Sequence, residues 1–257
     1  KRAYANFQTL VYWQRSCYRE KEILKAVPHV IGRTDWDRQA MQVLNPAAQY
    51  HYGGEILRPE FYEPSERKMP GRTVIATTIS RPSYKGLDLL LKTANILRNE
   101  MHLDFEWHVY GNVDPQFFER HTGQRCENVG VNICGVVTAQ RLRDALLEST
   151  LYFHPSYIEN SPNSVAEAQM MGLPVVVTNV GGTSSMVEHG ETGLLFPATD
   201  PYMAAYQVGV LVRDRELNIR LGEQAKKIAS ERHEKKRIVG GLMEIYNDIL
   251  EESRLQG

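Results

Sequence analysis

The run Val175-Val176-Val177 constrains this chain more than any other stretch. Three β-branched residues in succession leave no polar face to show to water. Such a strand is stable only with both faces covered, as in a parallel sheet packed between helices. Parallel neighbours need crossover connections, so strands and helices should alternate along the chain. From residue 73 onward they do. Residues 73–79 read as an apolar strand, and a helix from about Gly86 puts Leu87, Leu90, Leu91, Ala94 and Leu97 on one face. Phe105, Trp107 and Val109 alternate in a strand that ends at Gly111. A short strand over 131–134 precedes a helix capped by Thr138 and carrying Leu142, Ala145 and Leu146. Another strand over 151–154 leads to a helix over about 162–171, and 193–196 closes the strand series. Asp200-Pro201 then opens the helices that carry the chain to its end. With right-handed crossovers this is a doubly wound parallel sheet, a Rossmann-like α/β domain over about 66–232.

Ahead of that domain, residues 1–27 read as a helix rich in aromatics and bases, with six Lys or Arg against two Glu up to Lys25. Such a helix suits either a neighbouring domain, with its basic face in solvent, or peripheral contact with an anionic membrane surface. A strand over 29–33 follows. Thr34 with Asp37 three places on is a capping box, opening a helix to about Leu44. Between 45 and 71, Pro46, Pro59, Pro64, Pro70 and the pair Gly53-Gly54 read as a linker. The expected organisation is 1–65 as the trailing part of a first domain plus linker, 66–232 as the α/β domain, and 233–257 as a terminal helix packing back toward the first. The opening Lys1-Arg2-Ala3-Tyr4 has neither Met nor the plan of a signal peptide, and reads as the middle of a longer chain.

Thirty basic against 31 acidic side chains leave a net charge of -1, without the basic excess that bulk nucleic-acid binding needs. No apolar run approaches the roughly 18 residues of a membrane-spanning helix. Cys17, Cys126 and Cys134 fit no zinc or redox spacing and read as free thiols of a reducing cytosol. The histidines include no HExxH pair, so no metal is expected. GxGxxG is absent after the strand ending at Gly111, which argues against nicotinamide or flavin.

Sheets of this kind bind ligands beyond the carboxyl ends of their strands. The loop after 151–154 is the most informative: it carries Glu159 and, across a strand-to-helix turn, Glu167 eight places on. Ser161 is placed to cap the helix and Pro162 to start it, leaving the amides of Asn163 and Ser164 without intrahelical partners. At the positive end of the helix dipole those amides make an anion site suited to a diphosphate. Glu167, one turn on, is then placed to accept two hydrogen bonds, as from a ribose, while Glu159 faces a group beyond the phosphates. The same glutamates fit capping turns that only favour the helix N-terminus equally well. His154, at a strand end, is placed either to touch a bound ligand or to pack as a core histidine, and the core reading is preferred.

Taken together, Pro155-Ser156, Glu159-x7-Glu167-Ala168, Gly172-Leu173-Pro174-Val175-Val176, Gly181-Gly182 and Gly190-Glu191-Thr192-Gly193-Leu194-Leu195 resemble the donor-binding half of the GT-B retaining glycosyltransferases of family 4. The resemblance covers about 66–250. It implies transfer of a sugar, with retention, from a UDP- or GDP-sugar to a glycan, a lipid-linked glycan or another small acceptor, as in polysaccharide biosynthesis, with no metal or other cofactor. By the same resemblance Glu159 contacts the donor sugar near the reacting centre and Glu167 the ribose. Lys85-Gly86 matches the family's Lys-Gly, whose lysine neutralises the diphosphate. The family usually has an arginine five places earlier, where this chain has Ser80; Arg81 stands next to it and is carried over as the second phosphate ligand. Gly135 and Val136 match the loop that borders the base, and Ser185 stands where the family commonly has a glutamate. Lys85, Arg81 and the Asn163 and Ser164 amides would then stabilise the departing diphosphate, with Glu159 orienting the sugar or stabilising positive charge. The acid–base group is expected in the first domain, outside this chain, and the chain alone is expected to be inactive. A cytoplasmic location, at the inner face of the membrane where the basic helix meets lipid, fits this reading. A non-catalytic nucleotide-sugar binding module and a GT-B epimerase are the alternatives.

Overall fold

A computed structural model of the chain describes residues 2–255; Lys1, Gln256 and Gly257, which the sequence reading placed in its first and last helices, lie outside the described residues. The chain divides into two units, Lys1–Gly54 with Val239–Gly257, and Glu55–Ile238.

The smaller unit holds α1 (Arg2–Ala26), β1 (His29–Gly32), α2 (Asp35–Leu44) and β2 (Gln49–Tyr52). The capping box forms as the sequence predicts: Asp37 N donates to Thr34 Oγ1 at 3.3 Å, and Thr34 N to Asp37 Oδ1 at 3.2 Å. β1 and β2 pair in parallel. β2 lies inside the stretch that reads as a linker. Its Gln-Tyr-His-Tyr sequence has no aliphatic residue to mark a strand, and polar bonds hold it instead. Tyr52 Oη donates to Asp35 Oδ1 at 2.5 Å, and Tyr50 Oη hydrogen-bonds Asp37.

In the larger unit come β3 (Val74–Thr78), α3 (Leu87–Asn95), β4 (Glu106–Tyr110), α4 (Gln116–Thr122), β5 (Val131–Gly135) and α5 (Ala139–Leu147). They are followed by β6 (Leu151–His154), α6 (Asn163–Met170), β7 (Val175–Thr178), β8 (Leu194–Phe196), α7 (Pro201–Arg213) and α8 (Arg215–Arg232). The last helix, α9 (Lys235–Leu255), crosses the division between units. Only α4 among these has no counterpart in the sequence reading, because none of its residues is buried and no apolar stripe marks it.

Six strands form one all-parallel sheet in the order β5-β4-β3-β6-β7-β8. The order reverses between β3 and β6, where Ile75 pairs with Leu151 and Ala76 with Tyr152. This is the doubly wound α/β arrangement. Val176 packs into one apolar cluster with Leu90, Trp107 and Phe153, whereas Val175 and Val177 pack into another with Tyr152, Val165 and Leu173. The triple-valine strand is therefore covered on both faces, as its sequence demands.

The units divide at Glu55 and Ile238 rather than at the sequence-read 66 and 232. Leu57 and Phe61, from the Pro-rich stretch, belong to the second cluster, and Ile238 at the start of α9 is also buried. Phe61 is 1% exposed, so Phe61→Ala should destabilise this unit by about 3–5 kcal/mol. The exposed Val43→Ala should stay within about 0.5 kcal/mol. Urea unfolding followed by circular dichroism reads both; a Phe61 effect as small as that of Val43 would place 55–62 outside the folded unit.

Candidate functional site

Because crossovers from β3 and from β6 leave the sheet toward opposite edges, a crevice opens beyond their carboxyl ends. It forms a cavity of about 460 Å³, lined by Thr78, Ile79 and Lys85 at and beyond the end of β3, Tyr110 and Gly111 at the end of β4, Val136 after β5, and Asn163 and Ser164 at the start of α6.

Two glycines let the surrounding loops close up. Gly86 has φ +70°, and a Cβ there would lie 2.0 Å from the Pro155 carbonyl oxygen. That approach, fixed by Tyr157 N donating to Tyr84 O at 2.8 Å, brings Lys85 onto the loop after β6. Gly181 has φ +51°, and its Cβ would lie 1.9 Å from the Glu159 carbonyl oxygen, while Gly182 N donates to that oxygen at 3.3 Å. A side chain at Gly86 would push apart the loops that carry Lys85 and Glu159, and one at Gly181 would push the loop of Glu159 away from the loop after β7.

The helix start differs from expectation in one detail. Pro162 stands at the N-cap with ψ 111°, so its extended backbone, and not Ser161, precedes the helix, and no side chain caps it. Pro162 O accepts from Val165 N at 3.0 Å, leaving the Asn163 and Ser164 amides ahead of the first intrahelical bond. Below them lies the fully buried Tyr152. Its hydroxyl is 2.6 Å from Thr78 Oγ1 and also bonds the Ser164 side chain, and burial pushes the phenol up to about 12.

Three charged or titratable groups meet on one oxygen. Glu159 Oε1 accepts from Lys85 Nζ and, at 2.9 Å, from His154 Nε2. Burial works against ionisation of Glu159. The His154 hydrogen bond and the Lys85 ammonium outweigh it and bring the carboxyl down to about 2. His154 is 1% exposed, and burial holds it below its ordinary value against the pull of the carboxylate. Neutral imidazole that donates from Nε2 is the tautomer this network requires.

Glu167 is held differently. It is 4% exposed, and Arg58 grips it with both prongs, Nε to Oε1 at 2.7 Å and Nη2 to Oε2 at 2.8 Å. The guanidinium also lies 4.9 Å over the Phe61 ring. Of the residues read from the sequence, Lys85, Val136, Asn163 and Ser164 gather at the cavity, and Glu159 touches Lys85. Glu167 does not line the cavity. Arg81 is exposed and makes no side-chain hydrogen bond or ion pair among the described residues, although its carbonyl accepts from Lys85 N at 3.1 Å. Gly135 ends β5 at φ +72°, where its carbonyl accepts from Gly111 N at 2.8 Å; Val136, 78% exposed, follows at the cavity mouth. Sequence reasoning missed the polar role of His154 and Tyr152, two positions apart on an apolar strand, and it missed Arg58 altogether.

Among the described residues no three His, Cys, Asp or Glu side chains come together as a metal site needs, and no helix is long and apolar enough to cross a membrane.

Residues 71–214 match the family model described as glycosyl transferases group 1. The chain is 34% identical over 88 residues to the N-acetyl-alpha-D-glucosaminyl L-malate synthase of Bacillus anthracis, a match over 34% of this chain and 23% of that protein. Its fold is similar to that of S. aureus TarM, solved with fondaparinux, alpha-GlcNAc-glycerol and UDP: TM-score 0.75, 18% identity, 89% of this chain and 46% of that one. It is also similar to Anabaena HepE, solved with UDP-glucose: TM-score 0.67, 17% identity, 88% of this chain and 64% of that one. The α/β fold with its helix-flanked parallel sheet is thus that of GT-B glycosyltransferases. The chain spans less than two thirds of the length of each of these proteins.

The depressed carboxyl of Glu159 sets a pH dependence with a definite sign. The stability it contributes is complete above the ordinary value of 4.5 and is lost as pH falls toward about 2. The difference in urea midpoint between the native chain and Glu159→Gln should therefore be constant from pH 7 to about 5 and shrink below that. A difference that grows on acidification would contradict the assignment.

Proposed function

This chain belongs to the group 1 glycosyl transferases, and on that premise we propose that its central cavity holds the diphosphate of a nucleotide-sugar donor. The observation that carries the reading is the convergence of Lys85 with the Asn163 and Ser164 amides on one cavity at the strand reversal. An ammonium and the positive end of a helix together neutralise a diphosphate without a divalent ion. UDP is the first nucleotide to try, since TarM and HepE were both solved with uridine diphosphate compounds; GDP is the second. In this reading the base lies toward Val136, and Glu167, steadied by Arg58, meets the ribose. Arg81 reaches the diphosphate by turning in from the surface of the same loop.

Transfer with retention makes the anomeric carbon oxocarbenium-like while charge builds on the departing diphosphate. Lys85 and the two amides are placed before the reaction to meet that charge, which is where electrostatic preorganisation acts most strongly. Glu159, beside Lys85, then orients sugar hydroxyls or faces the developing positive charge. A glycan or other small acceptor, together with the group that activates it, completes the site in the whole protein.

Titration with UDP and GDP, with and without EDTA, tests the reading. UDP should bind equally well in both conditions, and Lys85→Ala should weaken it by about 1.5–3 kcal/mol, the cost of losing hydrogen bonds to a charged group. Strict dependence on magnesium, or affinity untouched by Lys85→Ala, would remove the basis for placing the diphosphate here.

A further inference from the structure

The single oxygen shared by Lys85 and His154 has a consequence for how a donor enters, given the diphosphate reading above. Side chains at this junction are 17% exposed at Lys85, 10% at Glu159 and 1% at His154. As it stands, one ammonium balances one carboxylate. Lys85 also lines the cavity, so an arriving diphosphate competes with Glu159 for the same cation.

We propose that Lys85 passes from Glu159 to the diphosphate when a donor binds, and that His154 is the positioning residue that then holds Glu159 and takes up a proton. A largely buried carboxylate stripped of its cation is costly, and the charge must be replaced locally. The surroundings offer one candidate. Among the described residues, the charged side chains that act on His154 are Glu159 and Lys85, both from the loops. On its own strand the Tyr152 ring stacks 6.2 Å away, and from β7 the Thr178 hydroxyl reaches its carbonyl oxygen at 3.4 Å. On the other side β3 contributes the Thr77 hydroxyl, bonded to the Phe153 carbonyl oxygen at 2.8 Å. With Nε2–H donating to Glu159, the Nδ1 lone pair is buried and without a hydrogen bond. It is the open position for a proton delivered from solvent, and the imidazolium formed there replaces the departed ammonium. Glu159 then stays fixed by His154, with its lysine-facing side released toward the sugar.

The test is calorimetry of the 257-residue chain with UDP-glucose and GDP-mannose, whose diphosphate diesters do not titrate near neutrality. Each is run in two buffers of different ionisation enthalpy. Binding at pH 7 should take up a measurable fraction of a proton per nucleotide sugar, and the uptake should fade as the pH rises. Uptake should vanish in His154→Gln while binding persists. If that variant does not fold, Glu159→Gln serves in its place, since without the carboxylate there is no charge to replace. Binding with no proton exchange overturns the proposal, as does uptake unchanged in both variants. Failure of both nucleotide sugars to bind overturns the donor reading itself, and the exchange with it.

Discussion

The reversal of strand order between β3 and β6 is the constraint on which the rest of this structure depends. Right-handed crossovers send the chain from β3 toward one edge of the sheet and from β6 toward the other, so neither connection covers the space directly beyond those two strands. Everything that gathers there does so because of that gap. Lys85 arrives on the loop after β3, Glu159 on the loop after β6, and the first amides of α6 point back into the opening. A sheet wound in one direction only would have filled the same space with a crossover.

Within the gap, close backbone contact turns topology into chemistry. Gly86 against Pro155 and Gly181 against Glu159 set loops side by side at distances no Cβ allows. The result is a carboxylate that is largely buried yet strongly acidic, because two donors meet its one oxygen. Such a cluster stores an imbalance that appears only when one donor is drawn away. Charge held in reserve, rather than a rigid finished pocket, is what this geometry provides.

Much of this was legible in the sequence, and the reasons for the remainder are physical. The triple-valine strand, the helical stripe from Leu87 to Leu97 and the Thr34–Asp37 box each declare themselves through local periodicity or capping. The resemblance carried by Glu159, Glu167, Lys85 and the paired glycines points to glycosyltransferases, and the comparisons bear out the group 1 glycosyl transferase family. β2 was missed because it is held by tyrosine hydroxyls instead of aliphatic packing. His154 reads as core, and it is buried; its bond to Glu159 depends on how residues 155–159 fold back, which no spacing rule reports. Arg58 lies 109 positions from its partner, in a stretch whose prolines and glycines spoke only of a linker.

That distant pair changes how Glu167 can work. A guanidinium fork takes one acceptor position on each carboxylate oxygen and leaves one on each. A ribose that meets Glu167 must use those remaining positions, because expelling Arg58 would strand a carboxylate that is 4% exposed. Arg58 is in turn seated on Phe61, whose ring is buried in the core beneath α6. The short segment between Glu55 and Tyr62 is therefore part of the same rigid support as the strands. The matched span of 71–214 begins too late to include it, yet the residue that keeps Glu167 paired stands outside that span.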